Sequence, residues 1–505
     1  MSAVWDFGSM LSGQVAMFVV SIFVARLLTP ADYGVTAAAR FFITLANRLT
    51  QLGLNASLVR MKETRDEHAS SVFVTNLVVG ILTFLVLWTA SPVLGRFFDS
   101  PDVARILPVS ATVFLITPFG SVASAMQRRQ LQYRSLSVLG WFDLVGGMLF
   151  TLLLAWFGMG YWSIVAGALL GTVISTVGRM WLSPWRMSFR FSMSALRDTL
   201  PFGLGFQAKQ LLIFSTTNLD NVVVGRVLGV VNLGFYDKAY GLMQGVTTRM
   251  AFDAALMRIY AIIRDEPARF RRALMKGVQA TSLVTFPLLL FSAVTADRLV
   301  VALYGPQWAP AVGPFQVLAI VGMIRGANRP VGAACESLGL VWVQVALQTL
   351  NLLLLIVGIV IGATWGLTPA SIGVLVAASA HGILSMRLLS RHTTVSMLDI
   401  WWSFWPSLAT ALTMGLALVM VNGALRHLGV TSPWVLLAGD VVTAAVVYPA
   451  LILWTPFRGV AMVVRESVDD VVPWLRRYVR CGVLRSAPEA STPVASAATN
   501  SLELP

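Results

Sequence analysis

Charge is what this chain has least of. Of 505 residues, 12% are Asp, Glu, Lys or Arg against 57% hydrophobic, and the mean hydropathy is +0.76. Soluble domains carry roughly a quarter charged residues, so apolar surface on this scale cannot be hidden in soluble cores, and the chain is read as an integral membrane protein. Cysteine is nearly absent, with Cys335 inside an apolar run and Cys481 near the end. That excludes a disulfide framework and a thiolate metal cluster. Of four histidines, His68, His392 and His427 fall in connections or at the ends of apolar runs, and none pairs with another at metal-ligand spacing. No GxxxxGK[ST] loop is present to cradle nucleotide phosphates. Nothing points to covalent chemistry, so no catalytic residue, cofactor or metal is assigned and the chain is not read as an enzyme. The first 30 residues lack a basic start followed by a small-residue cleavage site, so the first apolar run is expected to be retained.

What is present is a succession of apolar runs near 20 residues, each long enough to cross about 30 Å of hydrocarbon as a helix. They lack the alternation of barrel strands. Fourteen spans are read, near residues 7–28, 34–58, 72–90, 108–126, 136–157, 160–182, 199–224, 234–257, 277–296, 313–333, 341–362, 368–388, 403–423 and 433–454. Basic residues gather after even-numbered spans, the tenth excepted. Arg60, Lys62 and Arg65 follow the second, Arg128, Arg129 and Arg134 the fourth, and Arg186, Arg190 and Arg197 the sixth. Arg258, Arg264, Arg269, Arg271, Arg272 and Lys276 follow the eighth, and Arg387 and Arg391 the twelfth. The opposite connections hold only Arg96, Arg105, Arg226, Arg298 and Arg426. By the positive-inside rule both termini are expected in the cytoplasm, and the formal charge of +14 needs no nucleic acid to explain it.

The chain also repeats itself. Residues 24–39 read VARLLTPADYGVTAAA and residues 224–239 read VGRVLGVVNLGFYDKA. Val24, Arg26, Leu28, Gly34 and Ala39 fall on Val224, Arg226, Leu228, Gly234 and Ala239, and Arg65-Asp66-Glu67 falls on Arg264-Asp265-Glu266 at nearly the same shift. An even number of crossings separates the copies, so both enter the membrane in the same sense. The expected fold is an all-α polytopic membrane protein with two six-helix lobes, residues 1–190 and 191–392, related by a pseudo-two-fold along the membrane normal with a cavity between them. Residues 393–456 add two helices. Residues 457–505 read as a cytoplasmic amphipathic helix, either lying on anionic lipid or simply soluble, followed by a disordered tail rich in Ala, Ser and Pro. The connections SPVLGRFFDSPDVARILP and ADRLVVALYGPQWAPAVGP mix aromatics and prolines with few charges and read as short interfacial helices placed alike in the two lobes.

Polar residues inside the spans carry whatever function is legible. Arg40, Thr44, Asn47, Arg48, Gln51 and Asn55 recur at helical spacing on the second span, so one of its faces is polar through most of the bilayer. Each Arg near the bilayer centre costs roughly 2.5 to 3.5 kcal/mol against lipid, so this face must meet protein or water. The seventh span does the same with Gln207, Gln210, Thr217, Asn218 and Asn221, with Lys209 and Asp220 on a neighbouring strip, and the eighth offers Gln244, Thr248, Arg249 and Asp253. At about 1.5 Å per residue, Arg48, Lys209 and Arg249 lie roughly 8 to 15 Å from one membrane boundary, which suggests an anion site loaded from the cytoplasm. Arg40 and Arg325 are further cations for it, although Arg325 can also be read as snorkelling to the boundary. Arg249 has a structural alternative, an ion pair with Asp253 one turn on. Asn47, Gln51, Gln210, Asn218 and Gln244 would line the cavity. Asp220, Asp143 or Asp253 would bind a driving proton or sodium ion, a packing ion pair being the alternative for each. His381 reads as a packing residue, and Asp440 stands alone in the last span.

Several stretches resemble a known family. VARLLTPADYG at 24–34, QRRQLQY at 127–133, TNLDNVVVGRVLGVVNLGFYDKAY at 217–240 and ALYGPQWAPAVGPFQVLAIVGMIRGANRPVG at 302–332 look like the polysaccharide-transporter branch of the multidrug/oligosaccharidyl-lipid/polysaccharide exporter superfamily. The similarity covers roughly residues 5–460 and is closest to Wzx-type flippases of the colanic-acid kind. It implies a flippase of the bacterial inner membrane that moves undecaprenyl-diphosphate-linked oligosaccharide from the cytoplasmic to the periplasmic leaflet, with polymerase and assembly proteins as partners. Arg40 and Arg48 are not part of the shared motifs. A multidrug exporter of the same superfamily would suit an acidic cavity better, whereas a peptidoglycan-precursor (lipid II) flippase would share the cationic one. A reporter active only in the cytoplasm should work when fused at residues 65, 130, 190, 268 and 480 and fail at 99 and 305. Activity lost at 268, in the most basic connection, would overturn the orientation.

Overall fold

A computed structural model describes residues 2–50, 54–61, 65–130, 132–183, 185–194, 196–197, 214, 218–247, 253–430 and 432–454. Every regular element among them is helical. In chain order these are α1 (Ser2–Leu27), α2 (Pro30–Thr50), α3 (Leu54–Arg60), α4 (Asp66–Phe97), α5 (Pro101–Ala111), α6 (Val113–Arg129), α7 (Tyr133–Trp141), a π turn (Phe142–Gly146), α8 (Gly147–Trp156) and α9 (Tyr161–Leu182). There follow α10 (218–228), α11 (Val230–Thr247), α12 (Asp253–Ile262), α13 (Pro267–Val294), α14 (Ala296–Tyr304), a 3-10 turn (Pro306–Ala311), α15 (Val312–Ser337), α16 (Val341–Ala363), α17 (Leu367–His392), α18 (Met397–His427) and α19 (Pro433–Trp454). Among the described residues ten helices are long and apolar enough to cross a membrane, so the chain is a multi-span helical membrane protein. The expected amphipathic helix and tail after residue 457 lie outside the described residues.

Several helices run past the spans expected from hydropathy. The stretch expected at 72–90 is the 32-residue α4, which begins with Asp66 and Glu67 in its first turn. Acidic residues complement the positive end of the helix dipole, so the helix continues where hydropathy has already fallen. The two aromatic, proline-rich connections also differ. The first is the end of α4 and α5, which continues into α6, so that Pro101–Arg129 is long and apolar enough to cross as one unit. In the second the chain breaks at Thr295, and α14 leaves the axis of α13 to pack against α19.

Local chemistry explains where α2 begins. Thr29 precedes Pro30, which needs no N–H partner at a first helical position. The Asp32 N–H donates to Thr29 Oγ1 at 3.2 Å, and the Thr29 N–H donates back to Asp32 Oδ2 at 2.8 Å, a reciprocal capping box. The other Asp32 oxygen accepts the Tyr161 N–H at 2.9 Å, which ties the start of α9 to the same turn. Tyr161 Oη in turn donates to Asp102 of α5 at 3.1 Å. The TPAD stretch is thus a staple for three helices.

The helices up to α9 pack among themselves and those from α12 onward pack among themselves, with α2 and α11 packed on each other between the two groups. Small residues set the closest approaches, as they do where helices associate without a hydrophobic driving force. A Cβ on Gly147 would lie 2.9 Å from the Gly167 carbonyl oxygen between α8 and α9, and one on Gly358 would lie 2.8 Å from the Gly373 Cα between α16 and α17.

The last two helices are pinned by a buried charge. Asp440 of α19 is 1% exposed; its Oδ2 accepts from Arg298 of α14 at 2.6 Å, and its other oxygen accepts from Asn422 of α18. At the opposite end of α18, Ser396 and Asp399 form a capping box, and Arg271 of α13 donates to both oxygens of Asp399 at 2.6 and 3.2 Å. Asp440→Ala leaves Arg298 without its buried partner and should cost about 3 to 5 kcal/mol, with Asp440→Asn clearly milder. Thermal unfolding in detergent checks this, and equal melting temperatures for the two variants would contradict it.

Candidate functional site at the crossing of α2 and α11

The repeated glycines are the crossing point. A Cβ on Gly34 would collide with the carbonyl of Val230, and one on Gly234 with the carbonyl of Pro30. The two backbones are in direct contact there, close to the turns at 28–30 and 229–230. Further along the same helices the surface opens. Arg40 and Asn47 on α2 and Gly241 and Gln244 on α11 are exposed, although they lie in the body of their helices. A charged side chain exposed at such depth faces water, because hydrocarbon would penalise it heavily. Beyond the sealed end these exposed positions form a polar surface along α2 and α11, called the cleft below.

Arg40 stands about 9 Å beyond Gly34 at 1.5 Å per residue. Its Nη2 donates to Asp237 Oδ1 of α11, while its side chain remains 63% exposed against 15% for Asp237. Next to Asp237, Lys238 Nζ lies 4.6 Å from the ring centre of Tyr33, 4.2 Å from that of Tyr304 and 5.7 Å from that of Trp308. Such cation–ring contacts are worth about 0.5 to 2 kcal/mol each, and this cage draws its rings from α2, α14 and the 3-10 turn. The ion pair and the cage fasten α2 to the helices after residue 230.

The sealed end is fastened by both copies of the repeat. Trp308 Nε1 donates to the Ala25 carbonyl at 2.9 Å, and Gln307 Nε2 donates to Ala25 and Leu28 at 3.2 Å, satisfying carbonyls that the end of α1 leaves without intrahelical partners. Arg26 donates to the Leu303 carbonyl at 2.8 Å and also to that of Ala302, and its guanidinium lies 5.8 Å from the Trp434 ring. Its repeat partner Arg226 reaches the opposite way, donating to Asp99 at 2.6 Å and lying 5.5 Å from the Phe97 ring. Corresponding arginines hold opposite sides of one closure.

A second polar group lies deeper. Tyr236 Oη donates to Asp220 Oδ2 at 3.0 Å, the Asn221 N–H donates to Asp220 Oδ1 at 3.0 Å, and Asp220 is 2% exposed. Tyr236 stacks on Tyr240 with ring centres 6.0 Å apart, and Arg325 of α15 donates to Tyr240 Oη at 2.9 Å. The aspartate and the arginine are joined through two tyrosines of α11.

The expected site residues fall into three groups. Lys209, Gln210, Arg249, Gln51 and the side chain of Asp253 lie outside the described residues. Arg48 is half-buried in the last turn of α2, Asn218 is half-buried on α10 with its Nδ2 donating to the Phe214 carbonyl at 3.1 Å, and Asn47 and Gln244 are exposed in the cleft. The remainder have partners that lie on other helices. Arg40 is paired with Asp237 in this conformation. Arg325 does not snorkel, because it sits in the middle of α15 and turns to Tyr240. Asp143 lies 3.5 Å from Arg179 of α9, and Asp440, read as solitary, meets Arg298. His381 is 3.1 Å from Gln348, a packing contact between α17 and α16. Sequence reasoning passed over Asp237, Lys238, Tyr236 and Tyr240, which stand together in FYDKAY. Two charges between tyrosines in an apolar span were the available signal.

A family model for polysaccharide biosynthesis proteins matches residues 23–313, more than half of the chain. The chain belongs to that family. Within it, the chain is 23% identical over 420 residues to the lipopolysaccharide biosynthesis protein WzxC of Escherichia coli, covering 79% of this chain and 84% of that protein. It is 25% identical over 315 residues to the succinoglycan biosynthesis transport protein ExoT of Rhizobium meliloti, covering 62% and 63%, and 26% identical over 314 residues to the teichuronic acid biosynthesis protein TuaB of Bacillus subtilis, covering 58% and 62%. Among solved structures the fold is shared with the lipid II flippase MurJ in an inward closed conformation, at TM-score 0.70 and 10% identity over 89% of this chain and 98% of that one. An inward-facing multidrug MATE transporter follows at TM-score 0.57 and 15% identity, over 75% and 94%. The polysaccharide-transporter resemblance read from the motifs therefore holds.

The Arg40–Asp237 contact is testable as a pair. Arg40→Gln and Asp237→Asn should each lower thermal stability, and the double variant should lose less than the sum, with a coupling of about 0.5 to 3 kcal/mol. Strict additivity would mean that the two side chains do not interact in the folded protein.

Proposed function

We propose that this polysaccharide biosynthesis protein is a flippase for lipid-linked oligosaccharide. It takes a polyprenyl (undecaprenyl) diphosphate carrying a sugar repeat unit at the cytoplasmic leaflet of a bacterial inner membrane and delivers it to the periplasmic leaflet by alternating access. The observation that supports this reading is the exposed polar surface of α2 and α11 beyond the glycine crossing, on the side where the basic connections lie. With those connections in the cytoplasm, as the positive-inside rule places them, the described conformation is open inward. Two six-helix lobes and two added helices, fourteen spans in all, are the architecture under which the repeat arginines become symmetry mates.

In this reading Arg48, Lys209 and Arg249 supply a positive field for the anion, together with Arg40 and Arg325. Asn47, Gln51, Gln210, Asn218 and Gln244 offer hydrogen bonds to sugars. The diphosphate and sugars stay in the polar cleft while the prenyl tail remains in lipid, so no charged group crosses hydrocarbon. Lipid-linked flipping is also what the name of MurJ states for that protein. Of the three carboxylates considered for coupling, Asp143 has a cation at 3.5 Å, whereas Asp220 has two hydrogen-bonded donors and reaches Arg325 only through tyrosines, so Asp220 is the proposed ion carrier.

Purified protein in vesicles loaded with a fluorescent polyprenyl-diphosphate oligosaccharide should move it across the bilayer, and depletion in cells should make the same intermediate accumulate. Asp220→Asn should slow transport about tenfold, near 1.4 kcal/mol, and abolish its dependence on the ion gradient together. Transport of cationic drugs without transport of the lipid would replace the reading with drug export.

A further inference from the structure

Arg40 and Asp237 occupy a particular place in the cleft. They are a cation and an anion on opposite walls, between the open part of the cleft and the glycine crossing that seals it. The contact with Asp237 uses Nη2 alone and the side chain stays 63% exposed, so guanidinium donors remain turned to the cleft. Beside them Lys238 is held by rings, one of which, Tyr33, belongs to the opposite wall. The cluster contains two cations and one carboxylate. A carboxylate offers an arginine two oxygens and one charge, whereas a diphosphate offers more oxygens and more charge in a geometry that suits the planar fork.

We infer that Arg40 is a diphosphate site which Asp237 occupies in this conformation, and that an arriving diphosphate takes Arg40 from Asp237 and thereby unfastens α2 from α11. This rests on the lipid-diphosphate reading above and adds to it the trigger for opening. Once the pair is exchanged, the seal keeps the glycine crossing, the Arg226–Asp99 pair, the cage of Lys238 and the hydrogen bonds at the turn end, with one tie between α2 and α11 fewer. Parting of α2 removes Tyr33 from the cage and leaves Lys238 as a second cation for the same ligand. Substrate at the cleft floor then favours the open state through differential contact, which is the condition for a ligand to shift a conformational equilibrium.

Spin labels at Phe157→Cys and Leu428→Cys, both highly exposed and apart from the cluster, report the separation across the turn end once Cys335 and Cys481 are replaced by serine. Inorganic pyrophosphate is the probe, with sulfate at equal ionic strength as the comparison. Pyrophosphate should raise the proportion of long distances about tenfold in the otherwise unchanged protein. Arg40→Gln should abolish that response, Arg40→Lys should reduce it, and Asp237→Asn should show long distances without ligand. An unchanged distribution with pyrophosphate, an equal response to sulfate, or a full response in Arg40→Gln would each overturn the proposal. Vesicle transport of the lipid-linked oligosaccharide by the unlabelled protein separates failure of the trigger from failure of the flippase reading.

Discussion

Two backbones meet at Gly34 and Gly234, and the rest of the molecule is arranged around that contact. Carbonyl oxygens of Pro30 and Val230 occupy the space that side chains would need, so neither helix can move closer or slip without collision. The contact lies near one end of both helices, and the exposed polar positions Arg40, Asn47 and Gln244 lie beyond it. The capping box at Thr29 and Asp32 sets the entry of α2 into it, and Asp32 passes the constraint to α9 through Tyr161.

Around this crossing the described ionic groups are arranged by partner rather than by depth. Away from the cleft they are tied off: Asp143 with Arg179, and Asp440 with Arg298 and Asn422. The arginines at the sealed end are also engaged, Arg105 with Asp102, Arg226 with Asp99 and Arg426 with Asp297. Arg40 is paired as well, with Asp237, and its side chain stays largely exposed, as that of Arg105 does. Low dielectric makes an unpaired charge costly, so a membrane protein exposes charge only where water or a ligand reaches it.

Membership of the polysaccharide biosynthesis family and the fold shared with MurJ and MATE transporters agree with this arrangement. These folds carry different cargo, so the cargo must be decided by the side chains lining the cleft. Here the exposed surface presents a guanidinium on α2 and amide side chains such as Asn47 and Gln244, while a buried aspartate behind it is linked through tyrosines to Arg325.

The sequence by itself determined the membrane class, the helical character of the chain, the family and the position of the repeat at Arg26, Gly34, Arg226 and Gly234. Each of these depends on composition, or on spacing along one chain, both of which are local. Hydropathy also located the polar face of α2, because a polar stripe cannot face lipid whatever it packs against. Tertiary structure alone decided partners. Arg40 looked open because its acid, Asp237, is 197 residues away and on another helix, and Asp440 looked solitary because Arg298 arrives from α14. Arg325 was read as reaching for the boundary, and only the fold puts Tyr240 beside it. Helical periodicity says which residues share a face, but the identity of the group opposite depends on how helices distant in sequence come together, and that is what separates a tied charge from a working one.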